Sequence, residues 1–318
     1  MVIVGAGPTG LFAAYYAGFR GLSSMVVDAL PEPGGQITAM YPEKQIYDVA
    51  GFPAIRGREL VANLLAQAAP FHPTYLLGVN AESLSYQDGR PVLGLAGQEP
   101  VRCGALLVTG GIGSFSPRPL PAVREFSGTG VIYFVKRLDD LARQDILIVG
   151  GGDSAFDWAQ ALAPIAKSVT LVHRRDRFRA HAATVERVRA LPVRIIVNAE
   201  VTRLLGDNQV TGAEVTPKGG GETETLPADT VIAALGFTAD LGPLAGWGLT
   251  LHKRHIVVDS TMATNLPRVF AAGDITEYPG KVRLIATGFG EAATAVNNAA
   301  VVIDPTAHVF PGHSSDAG

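Results

Sequence analysis

The sequence predicts an α/β fold with two Rossmann-like dinucleotide-binding domains, and two observations support this prediction. The chain opens with an apolar run that enters a glycine-rich turn and a helical pattern, MVIVGAGPTGLFAAYYAGF. The same order returns 145 residues later, in DILIVGGGDSAFDWAQAL. A buried strand, a tight glycine turn and a helix in this order are typical of a dinucleotide-binding unit. The length agrees, because 318 residues correspond to about two domains.

In the first turn, Gly5, Gly7 and Gly10 occupy the three glycine positions of the dinucleotide fingerprint. Gly5 permits the turn, Gly7 lets a pyrophosphate approach the backbone, and Gly10 lets the helix pack close to the strand. The helix N-terminus adds N–H donors and a positive dipole end. Asp28 ends the next apolar run, where a carboxylate accepts hydrogen bonds from ribose hydroxyls. We therefore expect an adenosine with a free ribose, as in FAD; an ordinary strand–turn–helix is the alternative.

The second turn repeats the first at the same register. Gly150, Gly152 and Ala155 occupy the fingerprint positions, and alanine is an accepted variant at the third. His173 ends the following apolar run 23 residues after Gly150, which is also the distance from Gly5 to Asp28 in the first copy.

The two copies differ at the end of the second strand. The first ends in Asp28, whereas the second is followed by Arg174, Arg175 and Arg179. Arginine suits a ribose 2′-phosphate, because its guanidinium makes charge-assisted contacts that are often bidentate. The second site is therefore expected to hold NADP(H) in preference to NAD(H); a solvated charged turn is the alternative.

Composition excludes several classes of function. The chain has 26 Lys and Arg against 29 Asp and Glu, a balance that argues against generic nucleic-acid binding. Cys103 is the only cysteine, so neither an intramolecular disulfide nor a cysteine-rich metal site can form. No run approaches the roughly 18 apolar residues of a membrane span. We expect a cytoplasmic protein with no metal site, no membrane span and no nucleic-acid partner.

The remaining patterns follow in chain order as a helix at 60–70, an antiparallel sheet at 74–108, a proline-rich connection at 113–123, further β structure at 193–236, the strand VFAAGD ending at Asp274, and a helix at 290–303. They predict half a domain, a complete inserted domain and then the other half. The expected segments are an FAD-binding part at 1–116, an NADP(H)-binding domain at 117–237, and a second FAD-binding part at 238–318.

Two Rossmann units followed by VFAAGD resemble two-domain flavoproteins with thioredoxin-reductase-like architecture. Thioredoxin reductases carry a Cys-x-x-Cys close to the second glycine turn, a neighbourhood that has no cysteine here. The stretches GGQITAMYPEKQIYDVAGFP, HRRDRFRAH, KVRLIATGFGEAATAVNNA and the terminal GHSS resemble one branch in particular. That branch is the thioredoxin-reductase-like ferredoxin–NADP⁺ reductases, and the resemblance covers nearly the whole chain.

The resemblance implies further contacts with FAD. Gln36 would contact its flavin side, and Tyr41 would stack on one face of the isoalloxazine ring. The backbone near Ala81 would meet the adenine, and Phe115 would line the flavin pocket. Asp274 would hydrogen-bond the region between the ribityl chain and the pyrophosphate.

The C-terminal end also has implied roles. The N-terminus of the last helix, near Gly290, would point at the pyrimidine end of the flavin, where negative charge builds on reduction. His313 would stack on the ring face opposite Tyr41, and Ser315 would hydrogen-bond near the ring. The resemblance implies that the C-terminal end of segment 238–318 is an extension that covers the flavin. In the family this extension comes from the other subunit, which implies a homodimer. No acid–base catalyst is predicted, and Tyr41 and His313 are the flavin-flanking candidates.

The implied activity is electron transfer between NADP(H) and ferredoxin through FAD, with a hydride passing to flavin N5 and single electrons to two ferredoxins. Two alternatives stay open. One is an NADPH-dependent flavin oxidoreductase whose acceptor is a quinone, a flavodoxin or another non-thiol carrier. The other is a nucleotide-binding redox sensor without turnover.

Overall fold

The computed structural model describes residues 1–310 and 312. Its α-helices are α1 (Pro8–Phe19), α2 (Gln36–Met40), α3 (Gly57–Ala68), α4 (Asp153–Leu162), α5 (Ala182–Arg189) and α6 (Ile285–Ile303). Short 3₁₀ turns lie at Ala69–Phe71, Pro121–Glu125, Asp139–Leu141 and Gly242–Gly246.

The strands are short and follow one another along the whole chain. They are β1 (Val2–Val4), β2 (Met25–Asp28), β3 (Gln45–Ile46), β4 (Ile55–Arg56), β5 (Thr74–Leu77), β6 (Ala81–Gln87), β7 (Arg90–Leu95), β8 (Gln98–Arg102), β9 (Leu106–Val108), β10 (Ser114–Pro117), β11 (Val131–Ile132), β12 (Asp145–Val149), β13 (Ser168–His173), β14 (Val193–Val197), β15 (Ala199–Leu205), β16 (Gly212–Pro217), β17 (Glu224–Pro227), β18 (Thr230–Ala233), β19 (Phe237–Asp240), β20 (Leu251–His252), β21 (His255–Val257), β22 (Val269–Ala271) and β23 (Thr276–Glu277).

The chain divides into two units, each with its own core. Unit 1 comprises Met1–Ala39, Gln45–Phe115 and the chain from Ala239 onward, whereas unit 2 comprises Met40–Lys44 and Ser116–Thr238. The chain leaves unit 1 along β10 and re-enters it along β19, and these two strands pair as a two-stranded sheet.

Unit 1 is built on a five-stranded parallel sheet in the order β22-β9-β1-β2-β5. Its central strands are continuous apolar runs because both faces of a parallel sheet are covered. Ile3, Leu106 and Leu107 are fully buried there, as is Leu11 on α1. Each such side chain contributes roughly 1.5–3 kcal/mol by leaving water. The antiparallel strands β6-β7-β8 form a separate three-stranded sheet of the same unit.

Unit 2 repeats this plan. Its five-stranded parallel sheet has the order β11-β18-β12-β13-β14, with β12 in the place of β1 and β13 in the place of β2. A second antiparallel sheet, β15-β16-β17, follows β14 just as β6-β7-β8 follows β5. The predicted α/β fold with two Rossmann-like domains is confirmed.

Two details of the predicted element order are wrong. The antiparallel sheet expected at 74–108 is confined to β6, β7 and β8, because β5 and β9 at its two ends belong to the parallel sheet. The last helix begins at Ile285 and not near Gly290. Among the helices of the described residues, none combines the length and the apolar character that crossing a bilayer requires.

Candidate functional site

The first glycine turn joins β1 to α1 at the carboxyl end of the unit 1 sheet. Gly5 has a left-handed φ of 115°, which favours glycine, and its N–H donates to the carbonyl of Val27 over 2.8 Å. A Cβ on Gly10 would overlap the Gly5 carbonyl oxygen, so α1 lies directly against the turn. A Cβ on Gly7 would meet no atom within 4 Å. Gly7 therefore presents bare backbone to open space at the N-terminus of α1, as pyrophosphate binding requires.

Asp28 closes this turn from the end of β2. Its two carboxylate oxygens accept hydrogen bonds from the N–H groups of Ala6, over 2.6 Å, and Leu30, over 2.8 Å. Burial raises the pKa of Asp28, and these two hydrogen bonds oppose that rise. The carbonyl of Asp28 also accepts from the N–H of Val79, two residues before Ala81. The structure thus brings the residues predicted for the ribose and for the adenine to one end of the sheet.

The segment after β2 returns to the glycine turn. The N–H of Gly34 donates to the carbonyl of Ala6 over 2.7 Å. Gln36 then begins α2, and its Nε2 lies 2.9 Å from where a Cβ on Gly111 would stand. Gly111 belongs to the loop that leaves the carboxyl end of β9 and leads to the half-buried Phe115. Gln36 and the glycine turn therefore lie at the same end of the unit 1 sheet.

Tyr41 is grouped differently from the other residues predicted for FAD. It belongs to the segment Met40–Lys44 of unit 2 and packs against a core cluster of that unit, which includes Phe156 and Trp158. Lys44 pairs with Asp157 of α4 over 2.6 Å. The stacking of Tyr41 on the flavin stays a prediction. His313 and Ser315 lie outside the described residues.

Asp274 follows β22 in unit 1. It comes directly after Gly273, whose left-handed φ of 83° turns the chain. Gly273 lies against the first turn of α1, since a Cβ on it would stand 2.8 Å from Thr9 Oγ1. Burial raises the pKa of Asp274, and the positive charges of Lys281 and Arg283 oppose that rise. The structure therefore brings the neighbourhood of Asp274 to the N-terminus of α1, where the first glycine turn ends.

The second glycine turn, between β12 and α4, reproduces the first. The N–H of Gly150 donates to the carbonyl of Val172 over 3.0 Å, which is the counterpart of the bond from Gly5 to Val27. Gly152 precedes α4, and a Cβ on it would meet no atom within 4 Å. Ala155, in the third position, is fully buried. Unit 2 thus offers the same bare backbone at a helix N-terminus.

The predicted arginines surround the end of β13. Arg174, Arg175 and Arg179 are exposed, and the N–H of Arg179 donates to the carbonyl of Gly151 over 2.7 Å. Burial lowers the pKa of His173, and the positive charges of these three arginines lower it further. Within the described residues, no carboxylate forms a salt bridge with any of the three. Asp176 is the only acid in this segment and Arg177 is a fourth arginine, so the charge beside the second turn is net positive, which suits a phosphate group.

Comparison with known proteins gives the family. The profile of the pyridine nucleotide-disulphide oxidoreductases matches residues 1–299. The chain belongs to the pyridine nucleotide-disulphide oxidoreductase family. A protein named ferredoxin–NADP reductase from Salinispora arenicola (strain CNS-205) is 77% identical over 99% of this chain and 98% of its own length. Its namesake from Halalkalibacterium halodurans (strain ATCC BAA-125 / DSM 18197 / FERM 7344 / JCM 9153 / C-125) is 47% identical over 99% of this chain and 96% of its own.

A solved structure supports the same assignment. The crystal structure of the thioredoxin reductase of T. acidophilum superposes with a TM-score of 0.77 at 27% identity, covering 96% of this chain and 98% of that one. The resemblance to thioredoxin-reductase-like ferredoxin–NADP⁺ reductases, drawn from the sequence motifs, is confirmed. Like the family, this chain is a flavoprotein oxidoreductase with FAD and NADP(H) as its cofactors.

The residues present fit both cofactors of this pyridine nucleotide-disulphide oxidoreductase. The open backbone at Gly7 and Gly152 leaves room for a pyrophosphate at each helix N-terminus. The carboxylate of Asp28 suits a ribose with a free 2′-hydroxyl, and the arginines after β13 suit a ribose 2′-phosphate. When bound, FAD and NADP(H) supply the redox chemistry. The protein's own residues bind, orient and tune the charge around them.

Glu291 is a buried acid near this site that the sequence analysis did not identify. Glu291 lies on α6, is 5% exposed and accepts a hydrogen bond from the N–H of Gly273 over 2.7 Å. The signal was present, because Glu291 is the only charged residue in the apolar stretch IATGFGEAATAV. A lone acid in an apolar helix needs a buried partner.

Proposed function

We propose that this protein transfers electrons between NADP(H) and ferredoxin through FAD. The single observation behind the proposal is that two equivalent glycine turns are followed by opposite charge, a carboxylate at Asp28 and a net-positive arginine cluster within residues 174–179. One turn suits a nucleotide with a free ribose, and the other suits one with a 2′-phosphate. The names of the relatives, ferredoxin–NADP reductase, support ferredoxin as the acceptor.

In this proposal the predicted residues keep their roles. Those for FAD are Gly5, Gly7, Gly10, Asp28, Gln36, Tyr41, Ala81, Phe115, Asp274 and Ser315. Those for NADP(H) are Gly150, Gly152, Ala155, Arg174, Arg175 and Arg179. Tyr41 and His313 flank the flavin, and the domain boundaries stay at 116–117 and 237–238. The proposed location of the protein is the cytoplasm.

The lone cysteine argues against a thiol relay within this chain and so supports a non-thiol acceptor. Cys103 is buried before the amino end of β9, whereas both glycine turns lie at the carboxyl ends of their sheets. Burial raises the pKa of the Cys103 thiol, which disfavours the reactive thiolate. A dithiol relay like that of thioredoxin reductase needs two cysteines, and this chain has one. Flavodoxin or a quinone is the alternative acceptor.

The test is stopped-flow reduction of the purified yellow protein by NADPH and by NADH, followed by addition of ferredoxin. Fast bleaching by NADPH, slow bleaching by NADH and reoxidation by ferredoxin support the proposal. Equal rates with the two nucleotides contradict the role of the arginines. Bleaching without reoxidation by ferredoxin contradicts the acceptor, and the same trace with flavodoxin or a quinone tests the alternative.

A homodimer is part of the proposal, with a second copy of this chain on an aromatic face of unit 1. We call this the α1 face; its members are Phe12, Tyr15, Tyr16, Phe19, Phe71 and Phe289. Helix α1 has no charged residue. Phe19 is 51% exposed and Phe71 39%. The other four members are partly exposed, and a cluster of adjacent, partly exposed aromatic side chains of this kind suits an interaction surface.

Sedimentation velocity tests the dimer. The double change Phe19→Asp and Phe71→Asp is expected to give a monomer, because it places charges in an apolar interface. Tyr47→Asp changes an aromatic residue that is not part of the α1 face and is 72% exposed, and it is the control. A monomeric wild-type protein, or a dimer that survives the double change, contradicts this part of the proposal.

A further inference from the structure

The buried carboxylate of Glu291 binds four donors from one short segment. Its Oε2 accepts from the N–H of Gly273, over 2.7 Å, and from Thr276 Oγ1, over 3.4 Å. Its Oε1 accepts from Tyr278 Oη, over 2.6 Å, and from Lys281 Nζ. All four donors lie between Gly273 and Lys281, so a single side chain of α6 fixes the path of that segment.

Charge makes this arrangement specific. The side chain of Lys281 is 1% exposed and that of Glu291 5%, so neither charge is solvated and each depends on the other. Burial, together with the hydrogen bond to Glu291, raises the pKa of Tyr278 to about 12. Tyr278 is therefore a neutral donor at physiological pH, and the pair Glu291–Lys281 has no net charge.

Glycine contacts connect this network to the first nucleotide turn. Gly273 and Gly288 both lie against Thr9, because a Cβ on either would fall within 3 Å of Thr9 Oγ1. The first turn of α1, the first turn of α6 and the residue before Asp274 thus meet at one point. Within unit 1, these are the three elements to which the FAD proposal assigns the pyrophosphate, the pyrimidine end of the flavin and the ribityl region.

We infer that Glu291, paired with Lys281, is the positioning residue of the FAD site: it holds Gly273 against α6 and so sets the place of Asp274. The inference rests on the proposed contact of Asp274 with FAD. It also assigns the pair an electrostatic role, because the two opposite charges cancel beside the cofactor. Removal of either charge leaves the other uncompensated in a site of low dielectric constant.

The experiment uses full-length Glu291→Gln, Lys281→Met and the double variant, with FAD affinity and flavin midpoint potential as readouts. Glu291→Gln is expected to weaken FAD by about tenfold or more, because hydrogen bonds to a charged acceptor are lost. It leaves Lys281 positive, which favours the electron-rich reduced flavin, so the potential rises. Lys281→Met leaves Glu291 negative and lowers the potential, and the double variant returns towards the wild-type potential.

Shifts of the flavin potential in opposite directions distinguish the proposed role of the pair from a general loss of stability. A general loss of stability would not shift the potential up in one variant and down in the other. Glu224→Gln, which breaks the exposed pair of Glu224 with Arg194 in unit 2, is the matched control and is expected to change neither readout. Tyr278→Phe removes one hydrogen-bond donor to the carboxylate of Glu291. It tests the positioning role if Glu291→Gln does not fold. It is expected to weaken FAD by a smaller factor.

Asp274→Asn distinguishes the proposed contact of Asp274 with FAD from the positioning role of Glu291. Weaker FAD binding in Asp274→Asn together with wild-type affinity and potential in both Glu291→Gln and Lys281→Met overturns the inference alone. Unchanged FAD binding in Asp274→Asn overturns the proposed contact and the inference with it. Weaker binding in Asp274→Asn and in Glu291→Gln, with opposite potential shifts for the two charge removals, supports both.

Discussion

Gly7→Ala is expected to weaken FAD binding strongly while leaving the fold intact. Gly7 has φ −69° and ψ 178°, an extended conformation that alanine adopts without strain. The new methyl group would meet no protein atom within 4 Å. It would instead occupy the space through which a pyrophosphate approaches the N-terminus of α1. The perturbation therefore acts on the cofactor and not on the protein's own packing.

The expected magnitudes follow from these contacts. Stability of the FAD-free protein changes by less than about 1 kcal/mol, because the loss of a glycine N-cap is offset by a less flexible unfolded chain. FAD loses at least two charge-assisted hydrogen bonds to backbone N–H groups, each contributing about 1.5–3 kcal/mol. The sum, about 3–6 kcal/mol, weakens the affinity by roughly 10²- to 10⁴-fold.

Gly10→Ala is the matched control. A Cβ there would overlap the Gly5 carbonyl oxygen and stand 2.7 Å from Thr109 Oγ1, so α1 must move off the turn. Overpacking against backbone costs about 3 kcal/mol, which lowers the melting temperature of the FAD-free protein by roughly 6–12 °C.

The assays are thermal unfolding of FAD-free protein followed by circular dichroism, and titration with FAD followed by flavin fluorescence. Gly152→Ala repeats the test in unit 2, where NADPH affinity is expected to fall and FAD to stay bound. Wild-type FAD affinity in Gly7→Ala would refute the reasoning. So would a loss of stability in Gly7→Ala as large as that in Gly10→Ala.

Three further predictions concern other residues. Joint replacement of Arg174, Arg175 and Arg179 by alanine is expected to raise the KM for NADPH at least tenfold, since NADPH has the 2′-phosphate. The KM for NADH, which has no 2′-phosphate, is expected to change by less than about twofold. Equal changes of the two KM values would contradict this prediction. Because the pKa of His173 is lowered in the folded state, its contribution to stability is complete above the ordinary value of 6.5 and is lost as the pH falls below it. His173→Gln is therefore expected to flatten the loss of melting temperature between about pH 7 and 5, and an unchanged slope would count against it. Cys103→Ala is expected to keep the rate of NADPH oxidation within about twofold, because the buried thiol precedes the amino end of β9 whereas the first turn lies at the carboxyl end of the same sheet. A large loss of rate would restore a thiol mechanism.

The two glycine turns could be predicted from the sequence because their signal is local. Strand, glycines and helix lie within 20 residues, and the second-strand residue follows at a fixed distance. The strands β5 and β9 were misassigned for the opposite reason. Their partners are β2 and β1, and an alternating pattern over three or four residues does not tell a parallel from an antiparallel neighbour.

The start of α6 shows how tertiary contacts override local propensity. Gly288 and Gly290 lower helix propensity, so the pattern predicts a start near Gly290. The structure starts the helix at Ile285, since Gly288 must pack against Thr9 and a larger residue would collide there. The pairing of Glu291 with Lys281 was equally out of reach, because it depends on how the segment after β22 folds back onto α6.

The interrupted path of unit 1 also sets an order of events during translation. Its parallel sheet ends in β22, so Val269–Ala271 must be synthesised before that strand can pair with β9. The sheet of unit 2 is complete once β18 has been made, at Ala233. Since domains fold as units while the chain leaves the ribosome, unit 2 can complete its sheet first. Unit 1 contains the earlier strands β1, β2 and β5, but its sheet stays incomplete until β22 has been made.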